Sequence, residues 1–147
     1  MQQLNLPEYQ FKFKHKGERT EIFDAIRKRF VTLTPEEWVR QNFLQFLIKE
    51  KKFPSSLIAI ETGLKYNQLQ KRADVLAYNK LGLPYLMVEC KAPSVMVTQN
   101  AFDQVARYNM VFKVRYLVVT NGINHFCCEM NYDENTYSYL ETIPFFE

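Results

Sequence analysis

Apolar residues recur at two periods along this chain, and the changes of period mark its elements. Phe11-Lys12-Phe13-Lys14-His15-Lys16 alternates apolar and polar positions, which predicts a strand. From Ile22 to Phe30, the spacing of Phe23, Ile26 and Phe30 fits a strand or a short helix equally. Thr34-Pro35-Glu36-Glu37 then opens a helix. Thr34 can cap, Pro35 suits the first helical position, and two acids favour the positive end of the dipole. Glu37 stands three after Thr34 and completes a capping box. The helix runs through Trp38, Val39, Phe43, Leu44, Phe46, Leu47 and Ile48, and Lys49, Lys51, Lys52 and Pro54 end it. Leu57 to Glu61 reads as a buried strand and Thr62 to Gln70 as a polar loop.

Two apolar runs, Arg72–Tyr78 and Tyr85–Lys91, flank a segment holding Gly82 and Pro84, the pattern of a β-hairpin. Thr98 caps a second helix, predicted to reach about Met110, with Ala101, Phe102, Val105, Tyr108 and Phe112 as its apolar stripe. Val114–Thr120 is a strongly apolar strand, Asn121-Gly122 is a hairpin turn, and Ile123–Met130 returns. Tyr137–Ile143 adds an edge strand that Pro144 ends. The order helix, strand, strand, strand, helix, strand, strand predicts one α/β domain with a mixed sheet flanked by helices.

The hairpin concentrates the chemistry. With its turn centred between Leu81 and Gly82, antiparallel pairing sets Asp74 opposite Glu89, and Lys91 shares their face. Both faces of these strands are otherwise apolar, as in a covered sheet. Two carboxylates at the end of such strands repel and lose hydration. A divalent cation relieves both, since carboxylate oxygen is the ligand that Mg²⁺ prefers. The other reading is a structural ion pair between Lys91 and one carboxylate.

These residues resemble the core motif of the PD-(D/E)xK nuclease superfamily, with Asp74, a spacer and Glu89-x-Lys91. Ala73 stands where the superfamily's name places Pro. The fuller set Lys71-Arg72-Ala73-Asp74, Val88-Glu89-Cys90-Lys91-Ala92-Pro93 and Gln104-Val105-Ala106-Arg107-Tyr108-Asn109 resembles the N-terminal nuclease domain of type I restriction enzyme R subunits, over roughly residues 35 to 130. The resemblance implies a restriction-endonuclease-like core and a Mg²⁺-dependent DNA endonuclease, with Mn²⁺ able to substitute. Asp74, Glu89 and the Cys90 carbonyl would hold the metal. A Glu on the first helix would join them, Glu37 by position and Glu36 as the alternative. Lys91 would act on the attacking water or the transition state, and Gln104 and Tyr108, which share a helix face, would support the site. The plainer reading of Glu37 is a cap, and that of Tyr108 a core residue with an amide partner.

Charge fits a nucleic-acid partner. The net charge is +3, but residues 129–147 carry −5, so the first 128 residues carry +8. Ordinary surface charge is the alternative. Lys65, Lys71 and Arg72 lie near the carboxylate end of the hairpin, and Arg40 and Arg107 on the helices; all five are candidate phosphate contacts or solvated side chains. Phe11 and Phe13 either stack on bases or line a core, and His15 is expected to be exposed.

Length and composition bound the rest. The 147 residues suit one domain with a basic N-terminal extension and an acidic tail. The three cysteines, Cys90, Cys127 and Cys128, read as buried thiols, because neighbours in a strand face opposite ways and cannot grip one zinc. No membrane span or signal peptide is evident, so the expected compartment is the cytoplasm. No Walker-type phosphate loop is present, so the expectation is a nuclease fold that stands alone or works with a separate motor or specificity subunit. The alternatives are a non-catalytic DNA- or protein-binding module on the same fold and a purely structural domain.

Overall fold

The computed structural model describes residues 1–66, 69–108 and 112–147; the side chains of residues 62–66, 69–72 and 108 lie outside that description. Three short strands come first, β1 (Phe13–Lys16), β2 (Arg19–Asp24) and β3 (Arg29–Thr32), joined as an antiparallel meander. The ambiguous stretch from Ile22 to Phe30 is therefore strand, turn, strand. Asp24 sets the turn, because its Oδ1 accepts from the backbone N–H of Ile26 at 2.8 Å and of Arg27 at 2.9 Å.

Helix α1 (Pro35–Lys49) begins at Thr34, whose hydroxyl accepts from the Glu37 N–H at 3.0 Å. The expected capping box is only half made. The Glu37 carboxylate turns inward to Arg27, Arg40 and Gln41 instead of back to the cap.

The main sheet holds β4 (Ile58–Tyr66), β5 (Leu69–Tyr78), β6 (Pro84–Cys90), β7 (Tyr116–Thr120), β8 (His125–Asn131) and β9 (Thr136–Leu140) in that spatial order. Its pairs are antiparallel except β6 with β7, which are parallel and joined through α2 (Gln99–Tyr108). The polar loop expected from Thr62 to Gln70 belongs mostly to β4 and β5, whose pairing continues to Tyr66↔Leu69. Ladder hydrogen bonds come from the backbone, so a polar stretch pairs as readily as an apolar one.

The core has two sides. Val39, Phe43, Leu44 and Leu47 of α1 pack on Val75, Ala77, Leu86, Val88 and Val118. Phe102 and Ala106 of α2 pack on Leu76, Met87, Leu117 and Val119. Alternation along each strand sends neighbours to opposite helices, so the central strands are apolar on both faces. All three cysteines are buried and free. Among the described residues, no helix is long and apolar enough to cross a membrane.

The β7–β8 connection is tight at Gly122. Its φ is +87°, and a Cβ there would lie 2.8 Å from Leu4 Cδ2. Gly122→Ala is expected to lower stability by about 1–3 kcal/mol in urea denaturation, from the left-handed backbone and the displaced Leu4.

Candidate active site

Towards its open end the hairpin pairs in the predicted register, although a bulge between Ala77 and Tyr78 shifts the turn end, where Tyr78 pairs with Pro84. Val75↔Val88, Leu76↔Met87 and Ala77↔Leu86 are in register, and one further step sets Asp74 across from Glu89. At that step the strands part. The Cys90 N–H is taken by Asp74 Oδ2 at 2.8 Å, so a side chain replaces the backbone acceptor. Meanwhile β6 stays with β7 through Cys90↔Thr120, and the Lys91 N–H continues to the Thr120 carbonyl at 2.8 Å. On the other side of β5, pairing with β4 passes from Ile60↔Val75 to Thr62↔Ala73. The skipped Glu61 has φ +52°, a left-handed conformation that costs on the order of 1 kcal/mol in a non-glycine residue. Asp74 thus sits where the sheet opens.

Four charged side chains meet at this opening. The Asp74 carboxylate is 18% exposed, that of Glu89 25%, and the Lys91 side chain 33%. Lys91 Nζ lies 3.5 Å from Glu89 Oε1. Arg40, on α1, is only 5% exposed; its Nη2 lies 3.4 Å from Asp74 Oδ1 and 3.5 Å from Glu36 Oε1. Burial, followed by the negative charge of Asp74, pushes the Glu89 carboxyl up to about 7, although Lys91 pulls the other way. Burial and then Asp74 also raise Glu36. These carboxylates crowd one another, which makes the group receptive to a cation.

Behind the opening runs a chain of buried ion pairs. Arg40 Nη1 donates to Glu37 at 2.9 Å and to Glu61 at 3.3 Å. Arg27 Nη2 donates to both Glu37 oxygens at 3.0 and 3.1 Å, and its Nε lies 2.6 Å from Asp24 Oδ2. Gln41 Nε2 bridges Asp24 and Glu37, at 2.9 Å from each. Burial opposes ionisation of Asp24, but hydrogen bonds from Arg27 and Gln41 hold it below its ordinary 3.8. Asp24, Arg27 and Gln41 carried no signal in the sequence reading. The available clue was helical: Glu37, Arg40 and Gln41 fall at i, i+3 and i+4 and place a polar stripe on an apolar helix.

The predicted site residues divide accordingly. Asp74, Glu89, Cys90 and Lys91 are brought together. Glu37 is committed to Arg27, Arg40 and Gln41, and of the two helix acids it is Glu36 that is coupled to Asp74 and Lys91. Arg40 is no surface phosphate contact, because it is buried among carboxylates. Arg107 is exposed beside Asp103, Met130, Asn131 and Tyr137. The β7–β8 register puts Asn131 at the end of the strands opposite Glu89, so Arg107 does not join the cluster. Gln104 is exposed on α2. The side chains of Lys65, Lys71, Arg72 and Tyr108 lie outside those described.

Among the described residues, no three His, Cys, Asp or Glu side chains form a metal cluster by themselves. Two hard carboxylates with room for solvent nevertheless suit Mg²⁺, which typically takes one or two carboxylates, waters and substrate phosphate.

The mixed sheet, its two covering helices and the acidic pair at the parting strands define a restriction-endonuclease-like core. The family described as type I restriction enzyme R protein N terminus matches residues 35–144, and the chain belongs to it. Its fold is similar to a fragment assigned as an HsdR subunit of a type I restriction enzyme from Vibrio vulnificus YJ016, with TM-score 0.55 and 23% identity over 77% of this chain. The match spans 24% of that longer chain. No curated protein is similar enough in sequence to match.

Two predictions follow from the ion pairs. Glu37→Gln leaves two buried guanidinium groups short of an anion and is expected to cost about 3 kcal/mol in urea denaturation, whereas Glu36→Gln stays within about 0.5 kcal/mol. The second concerns pH. The folded state holds the Glu89 proton more tightly than the unfolded chain, whose ordinary value is 4.5. Without divalent cations, stability should therefore fall as pH rises from 4.5 to about 7 and level off above. Raised Glu36 acts in the same sense, lowered Asp24 matters only below 3.8, and half-buried His125, whose pKa is lowered from 6.5, acts in the opposite sense as pH falls below 6.5. Thermal melting of wild type and Glu89→Gln across this range checks it; the stability of the wild type relative to the variant should fall from pH 4.5 to about 7 and stay level above.

Proposed function

We propose that this domain is a divalent-cation-dependent nuclease that hydrolyses phosphodiester bonds of DNA, with a PD-(D/E)xK-type site. One observation carries the reading: Asp74 and Glu89 oppose each other where β5 and β6 part, with Lys91 Nζ 3.5 Å from Glu89. Membership of the restriction-enzyme R N-terminal family supports it and brings DNA and other restriction subunits forward as partners. A cytoplasmic setting accords with such partners.

Asp74, Glu89 and the Cys90 carbonyl would hold Mg²⁺ or Mn²⁺, and Glu36 replaces Glu37 as the acid contributed by α1. When bound, such a cation supplies Lewis-acid stabilisation to phosphate oxygen and lowers the pKa of its water. The protein's own part is positional. The Cys90 N–H fixes one Asp74 oxygen, and Arg40 steadies the other from beneath. Lys91 places a positive charge where an attacking water or the developing phosphorane charge would lie. Gln104 and Tyr108 of α2 are retained as supporting groups. Lys65, Lys71 and Arg72, on the two strands that run past the opening, are the candidate contacts to the DNA backbone.

A second reading has a specific observation behind it. Arg40 and Lys91 already answer Asp74 and Glu89 within 3.5 Å, as in a self-satisfied, non-catalytic module. The two readings diverge in one experiment. The nuclease reading expects Mg²⁺ or Mn²⁺ to raise the melting temperature of the wild type at pH 8 but not that of Asp74→Ala. It also expects cleavage of plasmid DNA to fall at least about a hundredfold in both Asp74→Ala and Lys91→Ala. Cleavage that survives both substitutions sinks the nuclease reading, and absence of both a thermal shift and cleavage favours the binding module.

A further inference from the structure

The three-stranded sheet has a face that neither core uses. Ile22 and Asp24 of β2 are fully buried, so by alternation Arg19, Glu21 and Phe23 point the other way. The registers Lys16↔Arg19, Lys14↔Glu21 and Phe23↔Phe30 bring β1 and β3 side chains to this outer face. Phe23 and Phe30 meet edge to face at 5.2 Å, and neither ring belongs to a core cluster. Lys12 Nζ lies over the Phe23 ring at 5.9 Å and Lys14 Nζ over the Phe30 ring at 5.6 Å. Lys12, Lys14, Lys16 and Arg19 are all exposed. Glu21 is the acid on this face, and Arg19 pairs with it at 3.3 Å, which leaves three lysines uncompensated.

An aromatic pair beneath exposed ammonium groups, on a sheet face with surplus positive charge, matches what single strands require. Phosphates draw the lysines, and each base has a π-face for a ring to stack on. A duplex offers phosphates but keeps its bases stacked on one another. We propose that the outer face of β1, β2 and β3 binds single-stranded nucleic acid, with Lys12, Lys14 and Lys16 on phosphates and Phe23 and Phe30 against bases. Phe13 of β1 and Phe11 just before it lie on the opposite face. They rest on Trp38, with ring centres at 5.5 and 6.5 Å.

This surface is distinct from the carboxylates, so it is tested without any divalent cation, and its outcome does not depend on the nuclease reading. The full chain, in EDTA, is titrated into a fluorescein-labelled oligothymidylate of about 15 nucleotides and into a duplex of the same length, followed by anisotropy at several salt concentrations. Lys12→Ala/Lys14→Ala/Lys16→Ala is expected to weaken oligothymidylate binding at least about tenfold and to flatten the log–log salt dependence by about 2, as for three lost phosphate contacts. Phe23→Leu/Phe30→Leu should weaken it about five- to tenfold at unchanged salt dependence, with little effect on the duplex. Phe23→Tyr/Phe30→Tyr retains the π-faces and should bind like the wild type, which separates lost stacking from lost folding. Wild-type affinity in the lysine variant overturns the proposal. So does a leucine variant that folds and binds as well as the wild type, since the face would then only attract phosphate.

Discussion

A relay of opposite charges from Asp24 to Asp74 holds this structure in its working shape. Its members alternate in sign, Asp24, Arg27, Glu37, Arg40, Asp74, and each is within hydrogen-bonding or ion-pairing distance of the next. Glu37 and Arg40 are buried and Arg27 is half-buried, where a lone charge is far more costly than a matched one. Each therefore fixes its neighbours. The three-stranded sheet is tied to α1 through Arg27, and α1 to the main sheet through Arg40. Apolar packing alone would place α1 over β5 and β6, but it would not set which way Asp74 faces. Arg40 does that from one side and the Cys90 N–H from the other. The relay also explains why the Glu37 carboxylate, a candidate by position, is turned away from the opening. Two guanidinium groups and an amide compete for it.

The second constraint is the parting of β5 from β6. An antiparallel ladder satisfies its donors pairwise, so ending it inside a covered sheet leaves N–H groups wanting partners. Here Asp74 serves the Cys90 N–H with its own side chain, and β6 continues beside β7. The carboxylate has a structural task through one oxygen, and Arg40 meets the other. Left-handed Glu61 stands across β4 at the same level and sends its carboxylate toward Arg27 and Arg40. Arg40 thus meets an acid at each of the distortions on the two sides of Asp74.

Much of this was legible in the sequence because local rules and fold agree. The two apolar runs and the turn between them gave the hairpin and, past the bulge at Ala77/Tyr78, the register that opposes Asp74 and Glu89. Thr34 and Thr98 marked both helix starts, since a hydroxyl at the cap accepts from the first turn in each. What escaped was tertiary. A helical spacing and an Asx turn are both compatible with Ile22–Phe30, and only the Asp24 side chain decides between them. The polar residues from Thr62 to Gln70 gave no sign of the pairing their backbone makes. Arg40 read as a surface cation because nothing local reveals that four acids, two from α1 and one each from β4 and β5, converge on it.

The small sheet shows how one strand can serve two ends. Along β2 the even positions Ile22 and Asp24 feed the core and the relay, while the odd positions Arg19 and Phe23 build the outer face. A period of two makes those roles inseparable, since a slip of one residue would bury Phe23 and expel Asp24 together. The Asx turn at Asp24 guards against that slip, because the same carboxylate that ends β2 also receives Arg27 and Gln41. The outer face and the position of Asp24 are therefore set by the same strand. Only two arginines and one glutamate separate Asp24 from Asp74, so strand pairing in the small sheet and carboxylate position in the large one belong to a single mechanical unit.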